Sequence, residues 1–311
     1  MKDVGQRGAE VAALKHALPY LRMFKGKTFV VKAGGGALAE ETALRGLVEQ
    51  AGILHQLGVR VVLVHGGGPQ ATDLERALGA EPRFVGGRRV TDDGALRVAT
   101  MVLNGALNTR LLAACRSAGV PAIGLSGVDA GLVRARRRPP VEVEGQRVDY
   151  GHVGDVVAVD ASVLERLLAA GFVPVVSPLS ADDSGALLNV NSDSVAAAVA
   201  IALGAEKLIL ITGAPGILER LEDPGSLVSY TDLPSLGRLR QTGALRDGMM
   251  PKAEAVETAL RGGVPRAHVI SYRVPDSLLV EVFTNEGCGT LVVEDLRALS
   301  PDEQAAGREE S

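Results

Sequence analysis

Hydrophobic positions along this chain follow two alternating rhythms. Short apolar blocks, such as Phe29–Val31, Val61–Val64, Val173–Val176 and Leu208–Ile211, have no charged interruption and are bounded by glycine, proline or charged residues. Blocks of that length suit strands buried on both faces. Between them, apolar residues recur at three- and four-residue spacing. The pattern predicts strands over about 28–33, 60–65, 121–125, 173–178, 208–211, 267–271 and 290–293. It predicts helices over about 9–24, 40–57, 69–80, 92–117, 191–203, 232–241, 250–262 and 276–283. Pro69 suits a first helical position, Thr91 or Asp92 can cap the long fourth helix, and Asn191 or Ser192 can start the alanine-rich one. Phe84–Val90 reads as a hairpin turning on glycines, and 132–158 as short β ribbons around a charged turn at Glu142–Arg147. Alternation in this order predicts an α/β fold, a mostly parallel sheet with helices on both faces.

Composition narrows the class without naming it. A chain of 311 residues can bury a large core in one α/β unit or two lobes. A net charge of −4 and an aromatic content of 3%, with no tryptophan, disfavour nucleic acid as a partner. Cys115 and Cys288 lie far apart, with neither metal-ligand nor disulfide spacing, which fits a reducing, cytoplasmic setting. Neither a membrane-spanning apolar run nor a signal-peptide pattern is expected from the sequence. The cluster Arg134, Arg136, Arg137 and Arg138 reads as a solvated ribbon face, with an acidic partner as the alternative.

Two strand-to-glycine junctions carry the chemistry: Val30–Gly36, which includes Lys32, and Val62–Pro69, which includes His65. Each ends in three glycines and leads into a helix. Glycine there lets backbone N–H groups approach an anion, and the helix behind adds its positive end. Two such loops, with a lysine ending the first strand, suggest a phosphoryl group held between them. Neither loop reads Gly-x-Gly-x-x-Gly, which argues against a dinucleotide-binding oxidoreductase. His65 reads as a packed strand-end histidine rather than a proton shuttle, and His152 and His268 as structural residues without partners at ligand spacing.

Six segments, in order and spacing, resemble the acetylglutamate kinases of the amino-acid kinase family. They are Lys32–Gly35, His65–Pro69, Gly87–Thr91, Gly124–Gly127, Asn189–Asp193 and Asp247–Lys252. The resemblance covers about residues 10–295. It implies a three-layer αβα sandwich with an open, mostly parallel sheet. An acyl-amino-acid lobe would span 26–180 and a nucleotide lobe 181–300, between a helix at 1–25 and a flexible tail at 301–311. The implied reaction moves the γ-phosphoryl of ATP, with Mg2+, to the γ-carboxylate of N-acetyl-L-glutamate. The resemblance places Lys32 and Lys252 on the transferring phosphoryl and the β–γ bridge, with Asp193 orienting both. Backbone N–H groups of Gly35 and Gly67 would meet the phosphoryl in flight. Gly67, Gly68, Arg89, Asn189 and Asn191 would bind the acceptor, with Arg88 facing solvent. Gly213, Asp247, Gly248 and Met249 would join Lys32 and Lys252 at the nucleotide.

Several positions depart from that pattern. Val128 stands where relatives commonly have lysine, Gly213 where they have aspartate, Gly36 where many have asparagine or serine, and Ser271–Tyr272 in place of an Asp-Gly pair. The 1–25 segment resembles the kinked N-terminal helix of arginine-inhibited relatives. It implies a hexamer built as a trimer of dimers, or a dimer alone, with L-arginine bound near Lys207, Glu281 and Gly287. The rival expectations are a kinase for a carrier-linked aminoadipate or glutamate, and a weakly active arginine-sensing regulator.

Overall fold

The computed structural model describes residues 11, 15, 17–143, 145–245 and 247–298. The flexible tail expected at 301–311, and most of the predicted first helix before residue 17, lie outside the described residues. In chain order the elements are α1 (17–24), β1 (Thr28–Ala33), α2 (Gly35–Ala39), α3 (Glu41–Gln56), β2 (Arg60–His65), α4 (Gly68–Ala77), β3 (Phe84–Val85) and β4 (Arg88–Arg89). Next come α5 (Asp93–Thr100), α6 (Asn108–Ser117), β5 (Ala122–Ser126), β6 (Val133–Arg137), β7 (Val141–Val143), β8 (Gln146–Val148), β9 (Val153–Val159) and α7 (Ser162–Ala169). The remainder are β10 (Val173–Ser177), β11 (Leu179–Ala181), β12 (Leu187–Val190), α8 (Ser192–Ala202), β13 (Lys207–Thr212), β14 (Tyr230–Asp232), α9 (Leu233–Gln241), α10 (Met250–Arg261), β15 (Arg266–Ser271), α11 (Ser277–Phe283) and β16 (Thr290–Val293).

Eight strands form the central sheet in the order β14-β16-β15-β13-β1-β2-β10-β5, parallel except for the β15–β16 pair. Its middle strands are apolar on both faces because helices cover both. On one side α3, α6 and α11 pack over Val31, Leu63, Val175, Ile209 and Ile270. On the other, α8 and α10 cover Val30, Val62, Leu208 and Leu210. The division placed near residue 180 does not interrupt the sheet, since β13 pairs with β1 from Phe29↔Lys207 to Ala33↔Ile211. That register brings the C-terminal ends of β1, β2 and β13 side by side, where an open α/β sheet collects its ligands.

Three regions differ from the reading of the sequence. The ribbons at 132–158 do form, but β6 and β9 close with β11 and β12 into a small four-stranded barrel that the pattern did not indicate. α7 and β14 were also not anticipated. The long helix is real over Asp93–Ser117, yet Met101–Leu107 within it is π-helical. This 25-residue helix is the one described segment long and apolar enough to cross a membrane, and 44% of its most apolar window is buried inside the fold.

Candidate active site

Lys32 stands one residue from the end of β1 and is 3% exposed. Its Nζ lies 2.7 Å from Asp193 Oδ1, and Lys252 Nζ lies 3.3 Å from Asp193 Oδ2. Asp193 enters from the first turn of α8, whose N-cap Asn191 accepts hydrogen bonds from the Asp193 and Ser194 N–H groups. Lys252 enters from the first turn of α10, just after Pro251, and also donates to the Gly248 carbonyl at 3.2 Å. One carboxylate is thus clamped between two ammonium groups. Burial alone would raise the Asp193 pKa; Lys32 and then Lys252 more than reverse this and hold it below the usual range. The Lys252 ammonium is pushed down, by burial first and the like charge of Lys32 second, with Asp193 opposing both. Two cations against one anion leave the cluster with a net positive charge, suited to phosphate.

The two glycine loops flank this cluster. Gln70, in α4, donates to the Gly35 carbonyl at 2.7 Å and ties one loop to the other. A Cβ on Gly35 would lie 2.7 Å from Gln70 Oε1 and 2.8 Å from Pro69 Cδ, so the loops can meet only without a side chain there. Gly67 is constrained from beneath: a Cβ would come 2.4 Å from Leu107 Cδ1 and 2.8 Å from Leu103 Cδ2. Both leucines belong to the π-helical stretch, whose wider turn presents them under the loop. Gly68, by contrast, has open space on its Cβ side.

Beside the glycines opens a cleft of about 580 Å³, lined by Gly66–Gly68, Arg88, Arg89, Asn189, Asn191 and Arg138 among others. Arg89 is fixed before any ligand arrives. Its Nη1 donates to both carboxylate oxygens of Glu75, at 2.7 and 2.8 Å, and its Nη2 donates to the Gly68 carbonyl and the Thr72 hydroxyl. Both Nη groups of Arg89 are therefore engaged within the chain, leaving its Nε–H for a ligand. Asn189 donates to the Thr91 hydroxyl at 3.2 Å. The side-chain oxygen of Asn191 caps α8, and the residue lines the same cleft. Arg88 bridges to Glu254 of α10 at 3.4 Å from an exposed position.

A sequence profile of the amino acid kinase family matches residues 27–271. The chain belongs to the amino-acid kinase family. The acetylglutamate kinase of Myxococcus xanthus is 50% identical over 290 residues, covering 91% of this chain and 94% of the relative. That of Symbiobacterium thermophilum is 45% identical, with 91% and 97% covered. A solved N-acetylglutamate synthase from Neisseria gonorrhoeae, complexed with coenzyme A and N-acetyl-glutamate, superposes with a TM-score of 0.80 at 30% identity; 94% of this chain and 66% of the synthase are covered. The chain therefore spans about two thirds of that synthase.

In this amino-acid kinase three of the departures noted in the sequence meet at one place. The Tyr272 ring reaches across the end of β13, and a Cβ would touch it on Gly36 (3.0 Å from Oη) or on Gly213 (3.4 Å). The aromatic ring occupies space that side chains at 36 and 213 would otherwise claim. Gly213 contributes backbone only; Gly248 and Met249 lie in the turn before α10; the Asp247 side chain lies outside the described residues.

Beneath α1, Lys207, His268 and Glu281 line a separate cavity of about 590 Å³ that also includes Gly287 and Tyr20. His268, read from the sequence as structural, is held on both sides: Lys207 Nζ lies 2.9 Å from Nε2 and Glu281 Oε1 2.7 Å from Nδ1. Burial, reinforced by Lys207, depresses the His268 pKa to about 4. The imidazole is therefore neutral at pH 7, accepting from lysine and donating to glutamate. No sequence spacing could pair residues from β13, β15 and α11. Glu75, Thr72 and Gln70 were missed for a different reason: each reads as an ordinary polar position on an amphipathic helix.

Proposed function

We infer that this chain transfers the γ-phosphoryl group of ATP to the γ-carboxylate of N-acetyl-L-glutamate, yielding N-acetyl-L-glutamyl 5-phosphate in arginine biosynthesis. The observation that carries the reading is the Lys32–Asp193–Lys252 cluster set between two glycine loops, beside a cleft floored by a preorganised arginine. Relatives at 40–50% identity over most of the chain bear that activity in their names.

Both reactants are anions, so catalysis consists of alignment and charge neutralisation. The acceptor carboxylate is ionised at neutral pH and needs no general base. Lys32 and Lys252 would contact the transferring phosphoryl and the bridge oxygen, with Asp193 fixing their separation. N–H groups of Gly35 and Gly67 would complete the phosphoryl cradle. Arg89, held by Glu75, and Asn189 would take the α-carboxylate and amide end of the acceptor. Among the described residues no group of three or more His, Cys, Asp or Glu is placed to hold a metal ion, and Asp193 is already engaged by two lysines. Magnesium would therefore arrive as the counter-ion of the nucleotide, ligated by phosphate oxygens.

The cavity under α1 favours a second role, inhibition by L-arginine, because Glu281 offers a carboxylate to a guanidinium. Over its described part α1 folds back on its own chain, through Tyr20 against Phe283 and Phe24 against Phe29. Val11, Leu18 and Met23 remain 52%, 41% and 55% exposed, apolar surface that a second copy of the chain would cover in a ring of dimers. The reaction takes place in the cytoplasm on this reading.

ATP consumption with N-acetylglutamate, coupled to hydroxylamine trapping of the acyl phosphate, tests the reading. Hydroxamate should form in step with ADP. Turnover with glutamate, aspartate or a carrier-linked aminoadipate, and none with N-acetylglutamate, would replace it by a sister activity.

A further inference from the structure

His65 ends β2 with no exposed surface, directly before the glycines, and its contacts form a chain of determined direction. Asn108, from the first turn of α6, aims Nδ2 at three acceptors: the Val175 carbonyl at 3.2 Å, the Leu125 carbonyl at 3.5 Å and His65 Nε2 at 3.2 Å. Two of these are carbonyl oxygens, so the amide must present NH2 and not oxygen to them. Nε2 is therefore an acceptor, the ring proton sits on Nδ1, and Nδ1–H donates to the Gly66 carbonyl at 3.2 Å. The amide of Asn108 lies so close under β5 that a Cβ on Gly124 would come 2.1 Å from its Oδ1.

We propose that His65, locked in the Nδ1–H tautomer by Asn108, is a positioning residue that turns the Gly66–Gly67 peptide so that the Gly67 N–H faces the phosphoryl site. The peptide is trans, so holding the Gly66 carbonyl toward His65 points the Gly67 N–H the opposite way. Gly66 N–H, in the preceding peptide, is pinned separately to the Ala33 carbonyl at 2.9 Å, which anchors the loop on its other side. The Gly67 N–H itself has no partner within the described residues, as a donor reserved for a ligand should. Burial, with Lys32 adding to it, holds the His65 pKa near 4, so the donor direction persists across the working pH range. This proposal rests on the kinase reading for its kinetic consequence, but the tautomer does not depend on it.

Nitrogen-15 NMR of histidine-labelled full-length protein reads the tautomer directly. His65 should show a protonated Nδ1 and an unprotonated Nε2 from pH 5.5 to 8, and Asn108→Leu should abolish that fixed pattern. In steady-state assays with N-acetylglutamate and ATP, His65→Leu should lower kcat about 10- to 100-fold, with KM for N-acetylglutamate changed less than about threefold, as for loss of an aligned transition-state donor. His65→Asn can place an amide N–H near the position of Nδ1–H and should recover most of kcat. An Nε2–H tautomer, or His65→Asn as impaired as His65→Leu, would overturn the proposal. If N-acetylglutamate were not phosphorylated at all, the kinase reading would fall while the NMR result still decided the hydrogen-bond chain.

Discussion

Replacing Asp193 with asparagine removes the charge that separates Lys32 from Lys252 while keeping the shape. Both carboxylate oxygens are engaged, at 2.7 and 3.3 Å, and the two lysine side chains are only 4% and 14% exposed. Two buried ammonium groups would then face each other without a counter-ion, which costs about 3–5 kcal/mol for a broken buried pair. At roughly 2 °C per kcal/mol for a chain of this size, Tm should fall by about 6–10 °C at pH 7. The Asp193 pKa is depressed in the folded state, so its contribution is present above the usual carboxylate value near 3.8 and vanishes as pH falls through the lower folded value. At pH 7 the wild type has all of it, and that is where the comparison belongs. Turnover should drop about 100- to 1000-fold, because the cations no longer hold the geometry of the transferring group. The KM for ATP should not rise, since net positive charge at the site increases. Lys252, already pushed down by burial and Lys32, loses the one group raising its pKa, so the residual activity should decline with rising pH sooner than in the wild type. Scanning calorimetry and an ADP-release assay across pH 6–9 measure all four. A variant with Tm within 2 °C and kcat within about threefold of wild type would refute the reasoning.

Other outcomes follow from the same geometry. Lys252→Ala should lower kcat far more than it raises KM for N-acetylglutamate, since its contact strengthens as charge moves to the bridge oxygen. Arg89→Ala should mainly raise that KM, by about 10- to 100-fold for a charged hydrogen bond, and Glu75→Gln should shift it the same way by releasing Arg89; Arg88→Ala, which breaks only the exposed pair with Glu254, should leave it unchanged. His65 and His268 both have folded pKa values near 4 against about 6.5 unfolded, so stability should fall with pH between 6.5 and 4, by roughly 3 kcal/mol per histidine, as followed by urea unfolding at stepped pH. Deleting residues 1–25 should reduce a hexamer to dimers and abolish arginine inhibition while sparing basal activity; light scattering that shows only dimers for the full chain, with or without arginine, would remove the assembly proposal.

The frame of the fold was legible because the middle strands are buried on both faces, and Phe29–Val31 or Leu208–Ile211 leaves water only when helices cover both sides. Gly34–Gly36 and Gly66–Gly68 were legible for a related reason: three glycines after such a strand serve close approach, and the 2.7 Å that a Cβ on Gly35 would have from Gln70 shows the approach is real. What the pattern hid was pairing at long range. β11 and β12 are short and half polar, and only the barrel they close with β6 and β9 gives them a role. The π-helical turn at Met101–Leu107 leaves no mark in a helical periodicity, yet it sets Leu103 and Leu107 under Gly67. Tyr272, Gly36 and Gly213 each read as an isolated departure from a family pattern; in space they are one compensated contact. Arg88 and Arg89 both line the cleft, and the buried Glu75 that holds Arg89 was invisible among the charges of α4.

The central claim is attack by a γ-carboxylate oxygen on the γ-phosphorus of ATP. N-acetylglutamate labelled with oxygen-18 in its γ-carboxylate, incubated with the enzyme and MgATP and followed by phosphorus-31 NMR, tests it most directly. The expected result is an acyl-phosphate resonance with the isotope shift of one oxygen-18 bridging to phosphorus, absent with Lys252→Ala on the same time scale. ADP formed alongside unlabelled inorganic phosphate alone, with no shifted acyl-phosphate signal, would contradict it.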